Sequence, residues 1–190
     1  MKQKVHKAGE LLQDITDFVR KNGSLEEKVR FPRKYICTAG PIQKRLSFVS
    51  EKNLRKSLSY NFILVDVFRW LLNITDIDHT AKRMLIKNCI VVFCSICESM
   101  MRASTKGVIG KKHNFKARTK RMVDKGIITE DLRSKLDWLW DKRQAIHIYL
   151  ISQPEDGLYK HSDYMKAKST TNDLLDVLIS SFEVLTTCDN

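Results

Sequence analysis

From His79 to Ser104 the chain places apolar side chains on almost every side of a helix: Met84, Leu85, Ile86, Ile90, Val91, Val92, Phe93, Ile96 and Met100. The polar residues Lys87, Ser95, Glu98, Ser99 and Arg102 fall within a wedge of roughly a third of a turn, at ~100° per residue. A helix with so narrow a polar side has to be surrounded by other elements, which predicts the centre of a helical bundle. Its most apolar run, Met84 to Cys97, is broken by Lys87 and bounded by Glu98 and Arg102. That falls short of the ~20 apolar residues a bilayer span takes, so no membrane is expected.

The rest of the chain supplies elements to surround that helix. Leu58 to Asn73 holds Ile63, Leu64, Val65, Val67, Phe68, Trp70, Leu71 and Leu72, a run too long for a strand and suited to a buried helix. Asp76 or Asp78 can cap the helix that follows. After a loop from Lys106 to His113, Asn114 opens a short helix that Gly126 stops. Thr129 caps a longer helix whose apolar face recurs at Leu132, Leu136, Leu139, Ile146 and Leu150. Ser162 opens a last helix, with Leu174, Leu175, Val177, Leu178, Phe182 and Leu185 on its buried side. At the amino end, residues 4–22 form an amphipathic helix with Leu11, Leu12, Ile15 and Phe18 on one side and Gly23 as its stop. Between them, 25–56 reads as an irregular basic connector with one short helix after Pro41. No alternation of period two is long enough for a strand. The expected architecture is all-α: an N-terminal extension over 1–57 and a bundle of about four long helices over 58–190.

Charge narrows the partner. The chain has 34 Lys and Arg against 22 Asp and Glu, a net charge of +12. An excess of that size favours a polyanion, and RNA or DNA over a membrane, because no basic amphipathic anchor stands out. Lys111, Lys112, Lys116, Arg118, Lys120 and Arg121 cluster around the short helix and are the expected nucleic-acid contacts. The amino terminus lacks the apolar core of a signal peptide. Five cysteines, an odd number with three in one helix, fit reduced thiols in a cytoplasmic protein. Cys94 and Cys97 have redox or metal spacing but no second pair and no His at ligand spacing, and are expected as core packing. His6, His79, His113 and His161 stand alone in polar or terminal settings and receive no role. Trp138 and Trp140 with Phe115 could stack on bases, although Trp140 lies near the apolar stripe and Trp138 points roughly the other way. Core packing or a dimer contact is the favoured reading of all three. No metal or cofactor is expected, since no phosphate loop, metalloprotease motif or serine triad is present.

Arg143 and His147 are the residues to explain. Four apart near the end of the long helix, they share one face and sit on its apolar stripe. A guanidinium and an imidazole there are costly to bury unless something needs them. An imidazole titrating near neutrality can move protons, and a guanidinium can hold a phosphorane-like transition state. The pair could therefore cleave RNA without a metal. Equally, Arg143 could simply pair with Glu98.

The order of features resembles the HEPN superfamily of helical-bundle nucleases, toxins and defence proteins. The likeness lies in three stretches: Ile90–Met101 with Glu98, then Lys125–Gly126–Ile127–Ile128–Thr129–Glu130, then Leu136 to His147 ending in Arg143–Gln144–Ala145–Ile146–His147. His147–Ile148–Tyr149 is similar to a His-x-Tyr tail of one toxin branch. Three residues separate Arg143 from His147, where four to six are usual in the family, and Gln144 stands where Asn is commonest. The resemblance covers roughly 58–185 and implies a homodimeric, metal-independent endoribonuclease of the toxin–antitoxin or phage-defence type. Arg143 and His147 would be catalytic, with Glu98, Asp141, Gln144 and Tyr149 behind them. It also implies an antitoxin or regulatory protein as a further partner, with silencing by modification of Tyr149 as one route. A non-catalytic module that binds nucleic acid or a protein through its basic surface is the alternative.

Overall fold

The computed structural model describes residues 2–22, 36–106, 109, 114–145 and 158–188. Among these the chain is all-helical, with α1 at Lys2–Asn22, α2 at Ala39–Arg45, α3 at Lys52–Ile74 and α4 at His79–Ser104. Then come α5 at Phe115–Asp124, α6 at Glu130–Gln144 and α7 at His161–Cys188. Two compact units divide the chain, Met1–Lys34 and Tyr35–Asn190.

The first unit holds α1, where Leu11, Leu12, Ile15 and Phe18 are exposed. The second begins ahead of the residue 58 boundary expected from hydropathy. Its start is set by Leu46, Phe48 and Val49, which follow α2 and are buried in the common core. The expected connector therefore belongs in part to the bundle. The short helix also starts before Pro41 rather than after it, because proline costs nothing in a first turn, where its missing N–H has no partner to lose.

Helix α4 is the hub. It packs against α3, α6 and α7, while α2 packs on α3 and α5 on α6. Ile86, Cys89, Ile90, Phe93, Cys94, Ile96, Cys97, Met100 and Met101 are all buried along it. The polar wedge of Lys87, Ser95, Glu98, Ser99 and Arg102 faces partly or fully outward, as the pattern required. By length and composition α4 could also cross a membrane, a longer apolar stretch than Met84–Cys97 alone gave. Half of that stretch is buried inside the bundle, as befits a core helix.

Side-chain contacts fix the directions. Phe93 packs on Tyr164 with ring centres 6.1 Å apart, and Cys97 Sγ lies 3.4 Å from Thr171 Oγ1, so α4 and α7 run parallel. Lys135 reaches Asp173 and Lys142 reaches Asp163, so α6 runs antiparallel to α7. The starts of α4 and α7 and the end of α6 consequently share one end of the bundle. Along α7, Leu174, Leu175 and Leu178 are buried as expected, but Phe182 is exposed.

Candidate functional site

The site is built by the α5–α6 hairpin. Asn114 starts α5 by accepting a hydrogen bond at its side-chain oxygen from the Ala117 N–H at 2.8 Å, and Thr129 starts α6 by accepting from the Leu132 N–H at 3.2 Å. These are two of the orphan donors that every helix start exposes. Glu130 and Asp131 in the first turn of α6, with Lys142 and Arg143 in the last, oppose its macrodipole at both ends. Between the helices Gly126 takes φ +68°, and Ile127 N–H returns to Met122 C=O at 2.8 Å. That left-handed turn sends α6 back along α5.

Three contacts close the hairpin. Thr119 Oγ1 donates to Asp137 Oδ1 at 2.7 Å, and Lys116 Nζ lies 2.6 Å from an Asp141 carboxylate oxygen. Phe115 and Trp140 stack with ring centres 4.6 Å apart and planes inclined by 16°. The Arg143 guanidinium sits 5.0 Å from the Trp140 ring centre, within cation–π range. Arg143 is half-buried. It lies near Cys94 on α4, where its charge opposes the rise of the thiol's pKa. Burial outweighs it, and Cys94, like Cys89 and Cys97, is pushed up to about 12. All three thiols are core residues, as the sequence indicated for Cys94 and Cys97.

Glu98 lies one turn beyond Cys94. Its Oε1 accepts from Arg102 at 2.9 and 3.1 Å, so the ion pair recorded at this carboxylate is with its own helix rather than with Arg143. Both Glu98 and Arg102 act on Arg118, whose guanidinium is destabilised first by burial and then by Arg102, with Glu98 opposing. Arg118 is only 4% exposed, and its Nη1 donates to Thr105 Oγ1 at 2.6 Å.

The expected site residues thus separate. Asp141 and Lys116 pair where the start of α5 faces the end of α6, and Arg143 lies against Trp140 and near Cys94 of α4. Lys120 and Arg121 are exposed on α5, as a phosphate-binding role requires, and Gln144 is exposed after Arg143. Arg118 is a correction. It shares the buried face of Phe115, Thr119 and Met122, so it stitches α5 to the end of α4 instead of facing solvent. Phe115 is 3% exposed, which removes it as a platform for bases, and the Lys166 ammonium lies 4.2 Å over Trp138. Lys111, Lys112, His147 and Tyr149 lie outside the described residues. So does the expected continuation of the helix to Leu150: α6 ends at Gln144, with the Ala145 N–H donating to Asp141 C=O at 3.2 Å.

Two features were not legible beforehand. Lys142 Nζ donates to Leu158 C=O at 3.1 Å and approaches Asp163 Oδ2 at 3.3 Å, tying the end of α6 to the start of α7. His79 and His161, given no role from sequence, line one cleft together with Lys82, Arg83 and Lys160. Residues that far apart in the chain carry no local signal of their meeting. Among the described residues no group of three or more His, Cys, Asp or Glu could hold a metal ion. No family model matches the chain, and comparison with curated proteins and with solved structures returned no match.

Proposed function

We propose that the protein acts on RNA as a metal-independent endoribonuclease of HEPN type, with Arg143 and His147 as its catalytic pair. The observation that supports this most is the setting of Arg143. Its guanidinium is part-exposed at a helix end and lies over Trp140, while α5, packed on α6, carries the exposed Lys120 and Arg121. A planar, permanently charged fork held in that way suits a phosphodiester. In the proposed step His147 takes the 2′-hydroxyl proton as the 2′-oxygen attacks phosphorus. Arg143 neutralises the charge growing on the phosphoryl oxygens, and the 5′-oxygen leaves with a proton. The products are a 2′,3′-cyclic phosphate and a 5′-hydroxyl. The bundle would work as a homodimer with two such motifs along a shared cleft, and an antitoxin or regulatory protein would restrain it.

The test is incubation of purified protein with structured and unstructured RNA in EDTA. Wild type should cleave, and His147→Ala should lose ~10²–10⁴-fold in rate, the usual size of a general acid–base contribution. Arg143→Lys should also fall well below wild type, since a point charge does not replace the fork. Equal cleavage by wild type and His147→Ala would remove the pair from the mechanism.

A second reading is favoured by one observation, the exposure of Lys120 and Arg121 on α5. The basic face would then bind RNA without cutting it. Its mark is binding that weakens steeply with salt, and no scission.

A further inference from the structure

Between α2, α3, α4 and α7 the bundle holds a cavity of about 250 Å³. Its floor is apolar and buried: Leu46, Val65, Phe93, Tyr164 and Leu175 line it, and each is at most 7% exposed. The Phe93 and Tyr164 rings stand 6.1 Å apart there. Its mouth is polar, with Cys37 and Asn172 exposed and Lys168 half-buried. An apolar floor beneath a few polar groups is how small-molecule sites are built.

Most charges at the mouth already have partners. Asp66 Oδ2 accepts from the Cys37 N–H at 3.0 Å, and its other oxygen lies 3.0 Å from Arg69 Nη2. Arg45 lies 3.5 Å from Asp176 of α7. Lys168 and Asn172 differ: among the described residues neither side chain has a hydrogen bond or an ion pair. Four apart on α7, they stand on consecutive turns of one face. An ammonium and a carboxamide N–H in that relation can donate to the two oxygens of one carboxylate. Size sets the rest of the ligand. A dry apolar cavity of ~150 Å³ takes up benzene, so this one has room for a ring and a short arm.

We propose that this cavity binds a small monocarboxylate whose apolar body is the size of one ring. The body lies against Phe93 and Tyr164, and the carboxylate is held by Lys168 and Asn172 at the mouth. The assignment rests neither on Arg143 nor on any action on RNA.

Calorimetric titration of the full chain tests it with phenylacetate, with 2-phenylacetamide, which lacks the charge, and with acetate, which lacks the ring. Phenylacetate should fill one saturable site, and acetate should not saturate at millimolar concentration. Lys168→Gln should weaken phenylacetate roughly tenfold to a hundredfold, the worth of one charge-assisted hydrogen bond, and leave the weaker binding of the amide unchanged. Asn172→Ala should weaken phenylacetate in the same sense by less. Asn172 is exposed, so that variant keeps the fold and decides the question if Lys168→Gln does not. Phenylacetate should also slow labelling of the Cys37 thiol at the mouth, and at the same concentration should do so far less in Lys168→Gln. No saturable binding of phenylacetate at millimolar concentration overturns the proposal. So does equal affinity for the acid and its amide, or phenylacetate affinity unchanged in folded Lys168→Gln.

Discussion

Arg118 and Arg143 are the same residue in two different solvents. Arg118 faces the core side of α5, so its guanidinium keeps Thr105 as partner and works as a brace. Arg143 sits at a helix end, half-buried, with its guanidinium over Trp140. The buried thiols of α4 show the same effect of surroundings on acids. With Cys89, Cys94 and Cys97 raised to about 12 from an ordinary 9.0, the folded state keeps their protons where the unfolded chain would lose them. Their contribution to stability is therefore complete below pH 9 and is lost as pH rises toward 12. In a thiol-labelling assay at pH 8, Cys37 should react at once, and the three core thiols only at the rate of global unfolding. Fast labelling of the core thiols in the folded protein would contradict their burial.

Helix ends decide what the α5–α6 hairpin can do. Asn114 and Thr129 were readable as caps because a side-chain oxygen facing orphan N–H groups is a local arrangement. Gly126 was readable as a stop, and its φ of +68° explains why. No atom lies within 4 Å of where a Cβ would stand, so Gly126→Ala meets no clash and exposes the backbone cost alone. Urea unfolding of that variant should show a loss of about 1–2 kcal/mol, and Gly126→Asn should cost less, since asparagine tolerates the left-handed region. Equal losses for both would point to a contact rather than to φ. α6 ends at Gln144, and Ile146 and Leu150, which continue the apolar period in the sequence, lie outside the described residues.

For the molecule as a whole, every member of the core cluster lies from Leu46 onward. A chain beginning at Tyr35 should therefore melt cooperatively within a few degrees of full length. A collapse of the transition on removing residues 1–34 would mean that α1 supplies core the cluster lacks. The expectation of an all-α chain held because the period of 3.6 in residues 58–104 and 161–178 is written into neighbouring positions. So did the central place of α4, whose narrow polar wedge leaves no face to lay on water. The boundary at 57 failed because Leu46, Phe48 and Val49 are too few and too scattered to show a period, yet each is buried once α2 folds onto α3.

Local order thus came from sequence alone: which stretches coil, where caps and stops fall, which helix lies inside, and that Cys94 and Cys97 are core. Tertiary packing decided the rest. It turned Arg118 inward, gave Glu98 to Arg102, locked Lys142 onto α7 and brought His79 and His161 to one cleft. The reason is physical: caps and periodicity act between residues a few positions apart, whereas a charge takes its partner from whatever the packed helices set beside it.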